Sequence, residues 1–137
     1  MEHCELSLAE RHRRKNIVGK TRNMILSKIS VEGQDETSLM MDYGGYYLQI
    51  SFSELHPLMV FCLAKALKKP STTRQGQMTN ELNLKSILGC HAINDEVGCY
   101  SYRATHWLDV EWDEVRFYEI LDRCVDEAEW GYHALIK

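Results

Sequence analysis

Apolar and polar residues alternate most regularly in the stretch 38–53. Residues 38–43 alternate, Gly44-Gly45 then supply the positive φ angles of a tight hairpin turn, and residues 46–53 alternate again. The inward set would be Tyr46, Leu48, Ile50 and Phe52, and the outward set Tyr47, Gln49, Ser51 and Ser53. The pattern predicts an antiparallel hairpin with one buried face and one face open to water.

Apolar residues spaced by three and four positions predict a helix near each end of the chain. Ser7 and Glu10 have the spacing of a capping box, and the helix that follows is predicted over residues 8–30. The last helix is predicted to begin at Asp109, with acidic residues in its first turn, where the helix dipole favours them. The predicted stripes are Ile17, Thr21, Met24, Ile25, Lys28 and Ile29 in the first helix, and Val115, Tyr118, Leu121, Val125, Ala128, Tyr132 and Leu135 in the last, widened by Phe117, Ile120 and Cys124.

Residues 55–69 fit two structures. Their Leu, Ala and Lys content favours a helix, whereas the apolar run 58–63 also fits a buried strand, and periodicity does not separate the two. Pro70 ends the element, and Ser71 or Thr72 can cap a following helix.

A second hairpin is predicted from a strand over 86–93, a turn at 94–96 and a return strand over 98–108. The return strand would place Tyr100, Tyr102, Ala104, His106 and Leu108 on one face and Cys99, Ser101, Arg103, Thr105 and Trp107 on the other. Two hairpins together with these helices predict an α+β fold with an antiparallel sheet.

Length and composition limit the classes of protein to which the chain can belong. A chain of 137 residues is one domain by the usual length prior and can bury a core without disulfides. It has no apolar run of about 18 residues, and its first residues lack the basic and apolar regions of a signal peptide. We therefore expect one soluble, cytoplasmic domain over residues 1–137.

The net charge of −4 is unevenly spread along the chain. Residues 1–30 hold seven Lys/Arg and three Asp/Glu, whereas residues 109–137 hold three Lys/Arg and nine Asp/Glu. The simplest use of this split is attraction between the first and last helices, or between subunits. An acidic total disfavours nucleic acid as a partner, since nucleic acid rewards a continuous basic face.

Cysteines and histidines predict no metal or catalytic site. The five cysteines are odd in number and form no Cys-x-x-Cys pair, which argues against a disulfide framework and a zinc ribbon. Cys90 and Cys99 lie on opposite arms of the second hairpin and would face each other only in one register. A nucleophilic pair such as Cys99 with His106 is a weaker alternative, because no neighbouring residue would lower the thiol pKa.

Outward-facing aromatic residues give the best indication of function. Trp107 and Tyr47 fall on the outer register of their strands, as do Gln49 and Arg103. Exposed aromatic residues on a sheet are frequent in protein interfaces. We therefore predict that Tyr47, Gln49, Arg103 and Trp107 belong to a partner-binding or dimer surface.

From about Met78 onward the order of features resembles the YbjN-like family of small bacterial proteins. The resemblance rests on Asn80-Glu81-Leu82-Asn83 at a helix end, Asn94-Asp95-Glu96-Val97-Gly98 as a turn, an aromatic-rich return strand and a long helix that holds Ala128. That family is similar in fold to the type III secretion chaperones, which implies the order α-β-β-β-α-β-β-α and usually a homodimer. By this resemblance, residues 58–67 form the third strand and residues 71–83 the middle helix.

The leading hypothesis is a non-enzymatic protein-binding module, chaperone-like or regulatory, that acts as a homodimer and holds a segment of another protein. It predicts no catalytic residue, cofactor or metal and no membrane partner, and it disfavours nucleic acid as a partner. The alternative is a nucleic-acid or nucleotide-responsive regulator that uses the basic segment from Arg11 to Lys15. A small hydrolase or thiol enzyme comes third and would need Cys90 or Cys99 to meet a histidine in a pocket.

Overall fold

The structure, a computed structural model, describes residues 5–53 and 56–136. In chain order its elements are α1 (Leu8–Lys28), β1 (Gly33–Gln34), β2 (Ser38–Tyr43), β3 (Tyr46–Ser53), β4 (Leu58–Ala66), α2 (Thr73–Lys85), β5 (Cys90–Asn94), β6 (Cys99–Trp107) and α3 (Glu114–Ile136).

The strands form one six-stranded sheet in the order β1-β2-β3-β4-β6-β5, and every neighbouring pair is antiparallel. The predicted first hairpin is confirmed, with Tyr43 paired to Tyr46 across the turn. Gly44 and Gly45 have φ angles of 61° and 85°, which a residue with a Cβ rarely adopts. The β5–β6 hairpin attaches through β6, so β5 lies at the edge of the sheet.

The core lies on one face of the sheet, where α1 and α3 pack. Phe61 on β4 is at its centre, with its ring 5.9 Å from that of Phe117 on α3 and 5.0 Å from that of His106 on β6. The buried apolar side chains of the strands are Leu39, Met41, Tyr46, Leu48, Ile50, Phe52, Met59, Phe61, Leu63, Tyr100, Tyr102 and Ala104. This inner face is the one that alternation predicted for β3 and β6.

Helix α2 covers the edge of β5. Its N-terminus has a full capping box, in which Thr72 and Gln75 bond to each other's backbone N–H. Near its C-terminus, the side chain of Asn83 accepts the N–H of His91 at 2.6 Å and donates to the His91 carbonyl at 3.0 Å. The backbone N–H and carbonyl of His91 point away from β6. Asn83 therefore occupies hydrogen-bonding groups on the β5 edge that a further strand would otherwise use.

Charge pairs join α1 to the acidic end of the chain, as the uneven charge predicted. Lys28 pairs with Glu114 at 3.3 Å, Lys20 lies 3.9 Å from Glu111, and Arg13 donates to the Asp109 carbonyl. The pairs are exposed, so we expect each to add less than about 1 kcal/mol to stability.

The start of the last helix was predicted wrongly. Helix α3 begins at Glu114, and residues 109–113 form an irregular segment. Burial of Leu108 and Trp112 explains the segment, because it turns the chain so that both side chains reach the core. Asp113 then accepts the N–H of Arg116 at 2.8 Å. The predicted stripes were also wrong at Val115, which is 75% exposed, and at Lys28, whereas Val18 is buried.

The structure decides between the two alternatives for one strand, adds a second strand and shortens a third. Residues 58–66 form a strand, as the family resemblance implied, so the helical alternative is wrong within the described part of that stretch; Leu55 lies outside it. Strand β1 was not predicted. Strand β5 begins at Cys90 and not at residue 86, since residues 86–89 form a loop.

Cys90 and Cys99 do not face each other. Cys90 is paired with Arg103 and Cys99 with Asn94, four positions apart along β6. Cys99 and His106 lie on opposite faces of β6, so the register does not assemble this nucleophilic pair. Cys4 and His3 lie outside the described residues.

Candidate protein-binding surfaces

The outer face of the sheet is opposite the core and carries the residues predicted to contact a partner. Tyr47 on β3 is 47% exposed and Trp107 on β6 is 51% exposed. Gln49 is half-buried and donates to Ser38 Oγ at 3.4 Å, and Arg103 is exposed. All four therefore lie on the predicted face of the sheet.

The strand register brings only two of these four residues close together. One row across the outer face runs Gln49, Cys62, Arg103, Cys90, so Gln49 and Arg103 lie two strands apart, about 10 Å. Tyr47 lies in the neighbouring row with Ala64, Ser101 and Ala92. These small side chains leave the Tyr47 ring standing above a flat part of the sheet.

Trp107 lies at the other end of β6 from this row. It pairs with Leu58, six positions along β6 from Ser101, or about 20 Å. The guanidinium carbon of Arg14 lies 5.8 Å from the Trp107 ring, so α1 covers part of the indole. The predicted surface is thus a diagonal band with Gln49 and Arg103 in its middle.

Two partly or fully buried thiols, Cys62 on β4 and Cys124 on α3, are not activated. Burial raises the pKa of Cys62, and the neighbouring Arg103 offsets this only in part. On α3, burial raises the pKa of Cys124 to about 11. Both cysteines are therefore thiols near neutral pH, the form that is a poor nucleophile.

A second surface, the α3 groove, was not predicted from the sequence. It has a volume of about 580 Å³ and lies between α3 and the loop of residues 86–89. Its lining residues are Lys85, Ile87, Leu88, Glu119, Ile120, Arg123, Asp126, Glu127 and Trp130. Ile87 is 89% exposed and nearby Leu84 is 86% exposed. Ile87 and Leu84 were a signal for this surface in the sequence, but neither was recognised as exposed.

Glu127 fixes the loop that forms one wall of the α3 groove. Its carboxylate accepts the backbone N–H groups of Ile87, Leu88 and Gly89 at 3.0–3.1 Å and the hydroxyl of Tyr102 at 2.9 Å. Burial alone would raise the pKa of Glu127, but these four donors outweigh it and lower the pKa below its ordinary value.

His91 lies beneath the same loop and is buried. Its Nδ1 is 2.6 Å from the Tyr100 hydroxyl and its Nε2 is 2.7 Å from Ser86 Oγ. Burial lowers the pKa of His91, although Glu127 nearby acts in the other direction. The backbone of Gly131 packs directly against the imidazole and leaves no space for a side chain there.

Within 5–53 and 56–136, no helix is both long and apolar enough to cross a membrane. The same ranges contain no group of three or more His, Cys, Asp or Glu side chains that could hold a metal ion.

Two solved structures share this architecture. SchA, the chaperone in the HopA1–SchA chaperone–effector complex, gives a TM-score of 0.57 at 10% identity, over 97% of this chain and 100% of its own. SycH, the type III secretion chaperone of Yersinia pestis solved in complex with a stable fragment of YscM2, gives a TM-score of 0.57 at 10% identity, over 82% of this chain and 96% of its own.

The chain has the type III secretion chaperone fold. The α+β prediction with an antiparallel sheet is therefore confirmed, with β1 as an addition to the predicted order. No protein-family model and no curated protein matches the chain, so the YbjN-like assignment is not confirmed.

Proposed function

We propose that this protein is a non-enzymatic protein-binding module, chaperone-like or regulatory, that acts in the cytoplasm as a homodimer. The observation that carries the proposal is the one-sided sheet. The core and the packed helices lie on its inner face, and the outer face keeps Tyr47 and Trp107 about half exposed.

The chemistry of the outer face suits a polypeptide segment. Tyr, Trp and Arg are enriched at the energetic centres of protein interfaces, because they combine apolar area with hydrogen-bonding groups. Tyr47 and Arg103 lie on either side of a flat area floored by Ala64 and Ser101. A bound segment would place apolar side chains against Tyr47 and an acidic or carbonyl group against Arg103.

Binding along the face is favoured over pairing with the β5 edge. At that edge, Asn83 already occupies the backbone groups of His91, and α2 lies beside the strand. A partner strand would have to displace both. The outer face requires no such rearrangement, which lowers the cost of binding.

The fold comparison supports the same class of function. SchA and SycH are named as chaperones, and both structures contain a second protein. The positions of Cys99 and His106 on opposite faces of β6 also weigh against that pair as a nucleophile and its base.

The nucleic-acid alternative has less support. Glu10 pairs with Arg13 at 2.9 Å and with Arg14 at 3.0 Å, and these contacts lower the pKa of Glu10 to about 2. Part of the basic segment is thus compensated within α1. Binding that weakens steeply with added salt would be the mark of this alternative.

Site-specific photo-crosslinking tests the proposal. Tyr47→benzoylphenylalanine puts a photoreactive ring on the outer face, and Leu8→benzoylphenylalanine, at a residue 72% exposed on α1, is the matched control. After irradiation in native cells, we expect position 47 and not position 8 to cross-link a different protein, and Arg103→Glu to lower the yield.

The crosslinked species decides between outcomes. Mass spectrometry that identifies a different protein at position 47 alone supports the proposal. A second copy of this chain at position 47, or equal products at both positions, would overturn the outer face as a partner site.

A further inference from the structure

Two large apolar side chains of the α3 groove are exposed to solvent. Ile87 stands at its edge, nine-tenths exposed, and Trp130 at its end is 44% exposed. Together with Leu88 and Ile120, these residues form the apolar part of the groove lining. Contiguous apolar surface with a polar rim is characteristic of interaction sites.

The rim of the groove carries charges of both signs. Glu119, Arg123 and Asp126 follow one another along α3, and Lys85 lies across the groove on α2. Within residues 5–53 and 56–136, none of these four side chains makes an ion pair or a hydrogen bond. Two cations and two anions are therefore available to a partner.

We propose that the α3 groove is the surface through which two copies of this chain associate about a two-fold axis. In such an interface, residue i of one copy contacts residue j of the other and the reverse also holds. With the axis crossing α3 at the level of residue 121, Glu119 of each copy faces Arg123 of the other. The proposal deepens the homodimer part of the proposed function and rests on it.

The mixture of charges favours a second copy over an unrelated partner. Glu119 and Arg123 are one helical turn apart, about 6 Å, so a single antiparallel α3 can meet both with opposite charge. An acidic or a basic partner would satisfy one sign and leave the other facing a like charge. Each copy carries a net charge of −4, so association needs local pairs of this kind to offset the repulsion.

The groove is also held in shape before any partner arrives. Glu127 fixes the backbone of Ile87 and Leu88, and His91 with Gly131 packs beneath the same wall. A preformed wall loses little conformational entropy on binding, and affinity rises for that reason.

Charge reversal with rescue tests this interface. Glu119→Arg would set Arg against Arg123 of the other copy, and Arg123→Glu would set Glu against Glu119. We expect each single variant to raise the dimer dissociation constant at least tenfold. The double variant Glu119→Arg/Arg123→Glu restores the opposite-charge pairs and should return the constant to within about threefold of the unmodified chain.

Analytical ultracentrifugation at several concentrations gives these constants, and circular dichroism checks that each variant is folded. The control is Lys15→Glu/Glu96→Lys, which exchanges the same charges on α1 and in the β5–β6 turn and should leave the constant unchanged. Weaker dimerisation of both single variants, together with recovery of dimerisation in the folded double variant, supports the proposal. A monomeric unmodified chain, unaffected single variants, or a folded double variant that stays monomeric would overturn it.

Failure here is separable from failure of the protein-binding function. If the charge series fails while Tyr47→benzoylphenylalanine still cross-links a different protein, only the α3 groove is wrong. If cross-linking fails and the charge series succeeds, the groove forms the dimer and the outer-face function is wrong.

Discussion

Glu127 shows how one carboxylate can organise a loop. In the loop that follows α2, the backbone N–H groups of residues 87, 88 and 89 all donate to the two carboxylate oxygens of Glu127. The Tyr102 hydroxyl on β6 adds a fourth donor, so the carboxylate links the loop, α3 and the sheet. Hydrogen bonds to an ionised group are stronger than those between neutral groups.

We predict that Glu127→Gln lowers the free energy of unfolding by about 1–3 kcal/mol, because it removes the charge that all four donors share and sets an amide N–H₂ among them. Urea denaturation measures the change. Asp126→Asn is the matched control, since Asp126 neighbours Glu127 and lines the same groove without a hydrogen-bond partner in the described chain. Equal stability of the two variants would contradict this role for Glu127.

The effect of Glu127 should also depend on pH in one direction. Its pKa in the folded chain lies below the ordinary value of 4.5, so the unfolded chain takes up the proton first as the pH falls. The stabilisation is complete above pH of about 5 and declines as the pH drops through the folded-state pKa. The difference between Glu127 and Glu127→Gln should therefore shrink below pH 4.5.

At the scale of elements, α3 and β5 meet at a point with no spare volume. Gly131 is buried on α3, and a methyl group there would overlap the imidazole of His91. The ring has no room to give, because Tyr100 and Ser86 hold both of its nitrogens. This glycine permits close approach of a helix to a strand, and its φ angle is not left-handed.

Gly131→Ala should therefore destabilise the chain although alanine favours helix. Overpacking costs about 1–3 kcal/mol, and with a fixed ring it should exceed the helix preference of about 1 kcal/mol. Gly76→Ala on α2 is the control, because no atom lies within 4 Å of the new Cβ, and it should be stabilising. Thermal unfolding of both variants gives the sign, and a neutral or stabilising Gly131→Ala would contradict the packing.

Elements with one wet face were predictable from the sequence, and elements set by tertiary packing were not. Residues 46–53 alternate because β3 has one buried and one open face. Strand β4 is in the middle of the sheet and its Leu, Ala and Lys residues favour helix, so only pairing with β3 and β6 decides its structure. The start of α3 was misplaced because burial of Trp112 overrides the acidic start signal at Asp109.

The same reasoning explains which surface was found. Tyr47, Gln49, Arg103 and Trp107 were placed on the outer face by strand periodicity, and the structure keeps them there. The α3 groove joins residues near 86 to residues near 123, from a loop and a helix that no local pattern connects. Surfaces made by distant segments need the fold before they can be recognised.

On the scale of the molecule, the two candidate surfaces are on different sides. The band from Tyr47 to Trp107 lies on the outer face of the sheet, and the α3 groove lies in the helical layer on the other face. The acidic charge of the C-terminal segment is partly compensated by α1 at Glu111 and Glu114, whereas Glu119 and Asp126 have no charge partner within residues 5–53 and 56–136. One surface can thus hold a second copy while the other holds a partner.

This arrangement predicts that Trp107→Glu leaves the dimer intact. The indole contributes to the outer face and touches Arg14 of α1, and it has no place in the α3 groove. Light scattering should give the same dimer mass for the unmodified chain, for Trp107→Glu and for the control Val97→Glu, at a turn residue 69% exposed. Cross-linking from position 47 should fall in Trp107→Glu only. A monomeric Trp107→Glu that is folded by circular dichroism would place the subunit interface on the sheet, because the groove would then hold no second copy.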